Sequence, residues 1–140
     1  MSTQKLNLKW CGKRQFEGTG SNGHKVMLDG PVSAGGENQG IRPMEMVLLG
    51  LAGCSAFDVV SILEKKRAGL AQCEIEIDAQ RADAIPAVFT NIHLKFIVSG
   101  EKVTEKAVSQ AVNLSVEKYC SVAAMLIAGG VDVTHSFEIV

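Results

Sequence analysis

The chain carries four thiols, Cys11, Cys54, Cys73 and Cys120. A cysteine can serve as nucleophile, as half of a redox couple or as inert packing. Cys54 lies in Leu51-Ala52-Gly53-Cys54-Ser55-Ala56-Phe57-Asp58, the middle of an apolar helical stretch, where a thiol is usually a small hydrophobe. Cys120 lies in Glu117-Lys118-Tyr119-Cys120-Ser121-Val122, where one helical stretch hands over to the next. Unpaired amides and a positive dipole end at a helix start favour thiolate, with structural filling as the alternative. Cys73 shares a strand face with Ile75 and Ile77 and reads as core, and Cys11, beside Trp10, has no companion. The separations of the four fit neither a dense secreted disulfide framework nor paired zinc knuckles, so reduced thiols are expected.

Other chemistries find less support. Cys54, Cys120, His93 and His135 offer two sulfurs and two imidazoles, but no pair has metal-ligand spacing, and the two histidines fall on separate strands. Residues 30–42 hold four glycines and a proline without periodicity, yet the Gly-Lys-Ser/Thr ending of a phosphate loop is missing. No Gly-x-Ser-x-Gly elbow exists for a serine hydrolase.

The elements that must position these residues follow from periodicity. Lys5 to Cys11 and His24 to Asp29 alternate around the turn Gly20-Ser21-Asn22-Gly23, which predicts an N-terminal antiparallel meander. Pro43 suits a first helical turn and Glu45 the positive helix start. Val47, Leu48, Leu51, Ala52, Ser55, Val59, Ile62 and Leu63 then keep helical spacing to Lys65, with Gly69 as the stop. This reads as a long, mostly buried helix, apolar nearly all round, whose Gly50 and Gly53 let another backbone approach closely. Gln72 to Ala82 and Val88 to Val98 alternate as two strands with one wet face. Thr104 caps a second helix with Glu105 in its first turn, a further helix runs from about Ser121 to Ala128, and Val131 to Val140 is a closing strand. The order predicts a single α+β domain over 1–140, with mainly antiparallel sheets around a long central helix.

Composition agrees with one domain. At 140 residues, 46% of them hydrophobic, the chain can bury a real core without staples. Net charge is −1 and no basic run exceeds Lys65-Lys66-Arg67, which argues against a nucleic-acid partner. The longest apolar run, Met46 to Cys54, is under half of a bilayer span, and Met1-Ser2-Thr3-Gln4-Lys5 has no signal core behind its charge. No membrane partner and a cytoplasmic location are expected.

The run Pro43-Met44-Glu45-Met46-Val47-Leu48-Leu49-Gly50-Leu51-Ala52-Gly53-Cys54-Ser55-Ala56-Phe57-Asp58-Val59-Val60-Ser61-Ile62-Leu63 resembles the OsmC/Ohr family. Val88-Phe89-Thr90 with Ile92-His93-Leu94, and Leu114-Ser115-Val116-Glu117-Lys118-Tyr119-Cys120-Ser121-Val122, are similar to its other blocks. The resemblance covers nearly the whole chain and is nearest the YhfA-type branch. It implies an intertwined homodimer and a thiol-dependent peroxidase acting on small organic hydroperoxides in a stress response. Cys54 matches the reactive cysteine, Cys120 the resolving cysteine, and Glu45 the acid of the Pro-x-Glu block. The family also sets an arginine of the N-terminal strands against the reactive sulfur. Arg14 is the one arginine there, in Gly12-Lys13-Arg14-Gln15-Phe16 rather than a Gly-Gly-Arg block, with Arg42 as its rival. An external dithiol would restore the thiols, and no metal, flavin or haem is needed.

Two geometric conditions attach to that chemistry. Cys54 and Cys120 can pair only if the fold brings their α-carbons within about 7 Å. Nine residues of straight helix separate Glu45 from Cys54 by about 13.5 Å and about half a turn, so a shared site takes Glu45 from a second subunit or breaks the helix. Leu51, Phe57 and Met125 are candidate pocket or interface residues. The alternative function is a non-catalytic or weakly redox-active dimer that binds a small apolar ligand with the same fold.

Overall fold

A computed structural model describes residues 3–140; Met1 and Ser2 of the N-terminal stretch lie outside it. The chain forms two compact units, residues 1–47 and 48–140.

In the first unit, β1 (Asn7–Trp10), β2 (Phe16–Thr19) and β3 (Lys25–Leu28) form an antiparallel meander in that order. The meander is as expected, but its middle strand, Phe-Glu-Gly-Thr, carries no alternation that a sequence reading would detect. The glycine-rich stretch after β3 is irregular apart from a short 3-10 turn, Val32–Ala34, and it is organised by Asp29. That carboxylate is buried at 2% exposure and accepts the backbone N–H groups of Gly30 (2.7 Å), Gln39 (3.2 Å) and Glu37 (3.3 Å). Gly36 is obligatory beneath it, because a β-carbon there would stand 2.1 Å from the Gly30 carbonyl oxygen.

Burial opposes ionisation of Asp29, but the three N–H donors and Arg42 outweigh it, so its pKa lies below the ordinary carboxylate value. A lowered native pKa stabilises the fold above the unfolded pKa and loses that contribution as pH falls through the native one. In urea titrations, the stability gap between wild type and Asp29→Asn should be constant near neutrality and close on acidification through and below the usual carboxylate range. A gap that does not change with pH would refute this role.

Helix α1 (Pro43–Lys65) runs between the bounds its sequence predicts. Glu45 accepts the Arg42 backbone N–H at 2.9 Å, closing the helix start. After Lys65 the chain leaves the helix through left-handed conformations at Arg67 (φ 54°) and Gly69 (φ 63°).

The second unit places β4 (Leu70–Arg81), β5 (Phe89–Gly100) and β6 (Asp132–Ile139) in one sheet in chain order. β4 pairs antiparallel with β5, but β5 and β6 are parallel, the one exception to the mainly antiparallel pairing expected and seen in the other three strand pairs. The connection explains it. Helices α2 (Glu105–Leu114) and α3 (Ser121–Ala128) fill the link from β5 to β6, and so long a crossover returns the chain in the same direction. Thr104 caps α2 as expected, its hydroxyl accepting the Ala107 N–H at 3.2 Å.

The core of this unit is built from Ile92, Leu94, Phe96 and Val98 of β5, Val108, Ala111 and Val112 of α2, and Leu51, Val59 and Leu63 of α1. The expectation of a mostly buried α1 is corrected: within one chain it buries one face. Leu51, Ala52, Ser55, Val59 and Leu63 are buried, whereas Leu49, Gly50, Gly53 and Phe57 face outward. At 23 residues α1 is also long and apolar enough by composition to cross a bilayer, because the helix continues past the uninterrupted apolar run through Ser55, Asp58 and Ser61. Its inner face is tied to the protein's own residues, as the site geometry makes plain.

Candidate active site

Between α2 and α3 the chain makes a π-helical turn, Ser115–Tyr119, closed by the Cys120 N–H donating to the Ser115 carbonyl at 2.7 Å. The wider turn shifts the helix register. The axis bends by 58° from α2 and its π turn into α3, and Cys120 becomes the N-cap of α3. A cap is usually Ser, Thr, Asp or Asn; here a sulfur takes the place of the oxygen, and Cys120 Sγ accepts the Ala123 N–H at 3.4 Å.

That cap points into α1. The Ser55 hydroxyl donates to Cys120 Sγ at 3.3 Å, and the Leu51 carbonyl oxygen lies 3.9 Å from the same sulfur, in reach of its S–H. The Ser115 hydroxyl donates to the Ser55 carbonyl at 2.9 Å, with Asp58 Oδ2 3.3 Å away. Ser55 and Ser115 are fully buried and Cys120 is 1% exposed, so these bonds are shielded from water. Among the described residues, no buried side-chain nitrogen or oxygen lacks a partner.

Cys54, the residue before Ser55, completes the group. Cys54 and Cys120 are both free thiols, Cys54 half-buried and Cys120 buried, and they are near enough neighbours for Cys54 to act on the Cys120 thiol. Burial is the largest influence on Cys120 and pushes its thiol pKa up. The Cys54 neighbour pushes the same way, against the Ser55 hydroxyl and the Ala123 N–H. The N-cap amide expected for Cys120 is thus present, but the expected gain of thiolate is overturned, because burial outweighs one weak N–H···S bond. Among the described residues, none of the groups that act on this thiol is a cation. Cys120 is therefore held as a protonated thiol beside the more accessible Cys54.

The remaining candidates separate clearly. Cys73 lies half-buried on the inner sheet face with Ile75 and Ile77, and burial raises its pKa. Cys11 is exposed, with its Sγ 3.6 Å from the Lys9 carbonyl. His93 and His135 stand on neighbouring strands but on opposite sheet faces, since His93 pairs with Thr134 and Leu94 with His135. Both ring nitrogens of His93 are engaged, by Thr134 Oγ1 at 2.7 Å and Ser136 Oγ at 2.8 Å, whereas His135 meets Glu117 at 3.6 Å. Leu51 is fully buried core, whereas Phe57 and Met125 are 75% and 67% exposed.

In the first unit, Arg14 is exposed, donates to the Lys13 carbonyl at 3.1 Å and lies against Gly35. It borders a cavity of about 220 Å³ with Phe16, Leu28, Asp29 and Pro43. Its rival Arg42 is bound within the loop, to the Asn38 side-chain oxygen at 2.6 Å and the Gly40 carbonyl at 3.3 Å. Sequence reasoning singled out Cys54, Cys120, Glu45 and Arg14 but missed Ser55 and Ser115. Ser55 is a lone polar residue on an apolar helix face, the one signal that pointed to it, whereas Ser115, near Asn113, Glu117 and Lys118, carried no such signal.

Residues 36–136 match the profile of the family described as OsmC-like protein. The chain is 45% identical over 136 residues to Protein YhfA of Escherichia coli strain K12, covering 95% of this chain and 96% of that one. A crystal structure of a hypothetical protein from Aquifex aeolicus VF5 superposes with a TM-score of 0.86 at 34% identity, covering 100% of this chain and 98% of the other. The organic hydroperoxide resistance protein OsmC from Legionella pneumophila shares the fold at a TM-score of 0.70 and 17% identity, over 99% and 98% of the two chains.

Proposed function

The chain belongs to the OsmC-like protein family, and from that premise we propose that it is a thiol-dependent peroxidase for small organic hydroperoxides, with Cys54 and Cys120 as its redox pair. The observation that carries this reading is the juxtaposition of a half-buried thiol and a buried, protonated one from two elements far apart in sequence. The Cys54 thiolate attacks the distal peroxide oxygen; an S–O bond forms, the O–O bond breaks, and the alkoxide leaves and is protonated to the alcohol. The Cys120 sulfur then attacks the Cys54 sulfenic acid. The S–S bond forms, and the hydroxyl leaves with the Cys120 proton as water. An external dithiol returns two electrons.

In this reading the protein works as one domain over 1–140 within a homodimer. Support for a second copy comes from α1, where a β-carbon built on Gly50 or Gly53 meets nothing within 4 Å and Phe57 is left exposed. Because α1 is unbroken, Glu45 serves a Cys54 site from the partner copy, and here it closes the start of its own helix. The family resemblance assigns the activating cation to Arg14, with Arg42, engaged by Asn38 in its own loop, as the rival.

One observation favours a second reading. The exposed apolar side chains of Phe57 and Met125 would suit a dimer that binds a small apolar ligand and uses both thiols for packing. Stopped-flow mixing of the reduced protein with cumene hydroperoxide and with hydrogen peroxide separates the two. The peroxidase loses two of its four thiols in one fast, stoichiometric phase, faster with the organic substrate. Oxidation at the rate of a free thiol with both oxidants would remove the peroxidase and leave the binder.

A further inference from the structure

The Cys120 sulfur is held from three sides. Its lone pairs take the Ser55 O–H at 3.3 Å and the Ala123 N–H at 3.4 Å, and the Leu51 carbonyl lies 3.9 Å away for its proton. When the proton departs, two donors remain on the sulfur in a site that water does not reach. Ser115 donates to the backbone carbonyl of Ser55 at 2.9 Å and does not engage the hydroxyl that meets the sulfur. We propose that Ser55 is a positioning residue for Cys120, orienting its sulfur as the attacking thiol when the disulfide forms and as the departing thiolate when an external dithiol reopens it at Cys54. The proposal rests on the dithiol reading above.

The direction of reopening follows from access. Cys54 is half-buried and Cys120 is 1% exposed, so the incoming thiolate reaches Cys54. A bond forms between the reductant's sulfur and Cys54 Sγ, the Cys54–Cys120 bond breaks, and Cys120 leaves with the electron pair. The second thiol of the reductant closes on its first sulfur, which frees Cys54 and yields a cyclic disulfide. The two protons of the dithiol end on Cys54 and Cys120. A better-stabilised leaving thiolate leaves faster, and the Ser55 hydroxyl and Ala123 N–H supply that stabilisation.

The test uses the full chain with Cys11 and Cys73 replaced by serine, oxidised with diamide so that the disulfide forms without peroxide. Reopening by dithiothreitol is followed by thiol release. Ser55→Ala should reopen about tenfold more slowly than its parent, as expected for loss of one hydrogen bond to a charged sulfur. Ser115→Ala, which removes an equally buried hydroxyl that does not touch the sulfur, should reopen within about twofold of the parent. In a Cys54→Ala background, the thiolate absorbance of Cys120 should titrate at higher pH once Ser55 is alanine. Parental reopening with an unmoved titration, or equal slowing by Ser115→Ala, overturns the role of Ser55. Free-thiol peroxide kinetics with slowed dithiothreitol reopening overturns the peroxidase and keeps Ser55. Failure of diamide to link Cys54 with Cys120 overturns both.

Discussion

Cys54→Ser should lower hydroperoxide reduction by on the order of a thousandfold or more, because a serine hydroxyl stays protonated near neutrality and cannot be oxidised to a sulfenic acid. Cys120→Ser should behave differently. Its Cys54 still reacts in the first turnover at close to the wild-type rate, since Cys120 enters only after the O–O bond has broken. The reaction then stops with one oxygen added to Cys54, and excess peroxide carries it to sulfinic acid. Single-turnover stopped flow followed by mass spectrometry and a sulfenic-acid trap distinguishes the two variants. The asymmetry is rooted in exposure, since a half-buried thiol can meet a peroxide and a thiol at 1% exposure cannot. Equal loss of the first turnover in both variants would contradict the assigned roles.

Phe57→Glu should separate the proposed dimer while leaving the single chain folded. Phe57 is 75% exposed on the outward face of α1, so a carboxylate there is solvated in an isolated chain. In a dimer packed on this face the same carboxylate loses its water without gaining a cation. The penalty of several kcal/mol for an unpaired buried charge weakens association by roughly a hundredfold or more. Sedimentation should find wild type near twice the chain mass of 14.9 kDa and Phe57→Glu near that mass, with unchanged far-UV circular dichroism. Peroxide reactivity should fall with the dimer, because in the proposed reading Glu45 reaches Cys54 from a second copy. A wild type that sediments as a single chain at micromolar concentration would remove both the dimer and that supply.

Much of the scaffold was legible in the chain itself. The bounds of α1 follow from Pro43 and Lys65, the start of α2 from Thr104 and Glu105, and the span of α3 from its apolar run ending at Gly129. The inward face of β4 follows from alternation through Cys73, Ile75 and Ile77. Each signal acts over a few residues, through a cap, a proline or a side-chain period, and so is written locally. The OsmC/Ohr blocks around Cys54 and Cys120 were likewise visible and lead to the family that the comparisons support.

Other features depended on which elements meet. The parallel pairing of β6 with β5 comes from the length of the helical crossover, and β2 is held by two neighbours rather than by its own pattern. The exposure of Phe57 and the burial of Leu51 distinguish two faces of a helix that is apolar all round, and composition alone does not. The sign of the Cys120 shift is the clearest case. Helix position argued for thiolate, but the sulfur is buried against α1 by a π turn, and desolvation outweighs one amide. Thus the helices, the strand faces and the pair of cysteines with a family's spacing can be read along the chain, because those are short-range or whole-pattern properties. That Ser55 donates to Cys120 across 65 positions, and that one thiol is reachable while the other is sealed, emerges from the folded chain, because burial and hydrogen bonding between distant residues exist only once it has closed on itself.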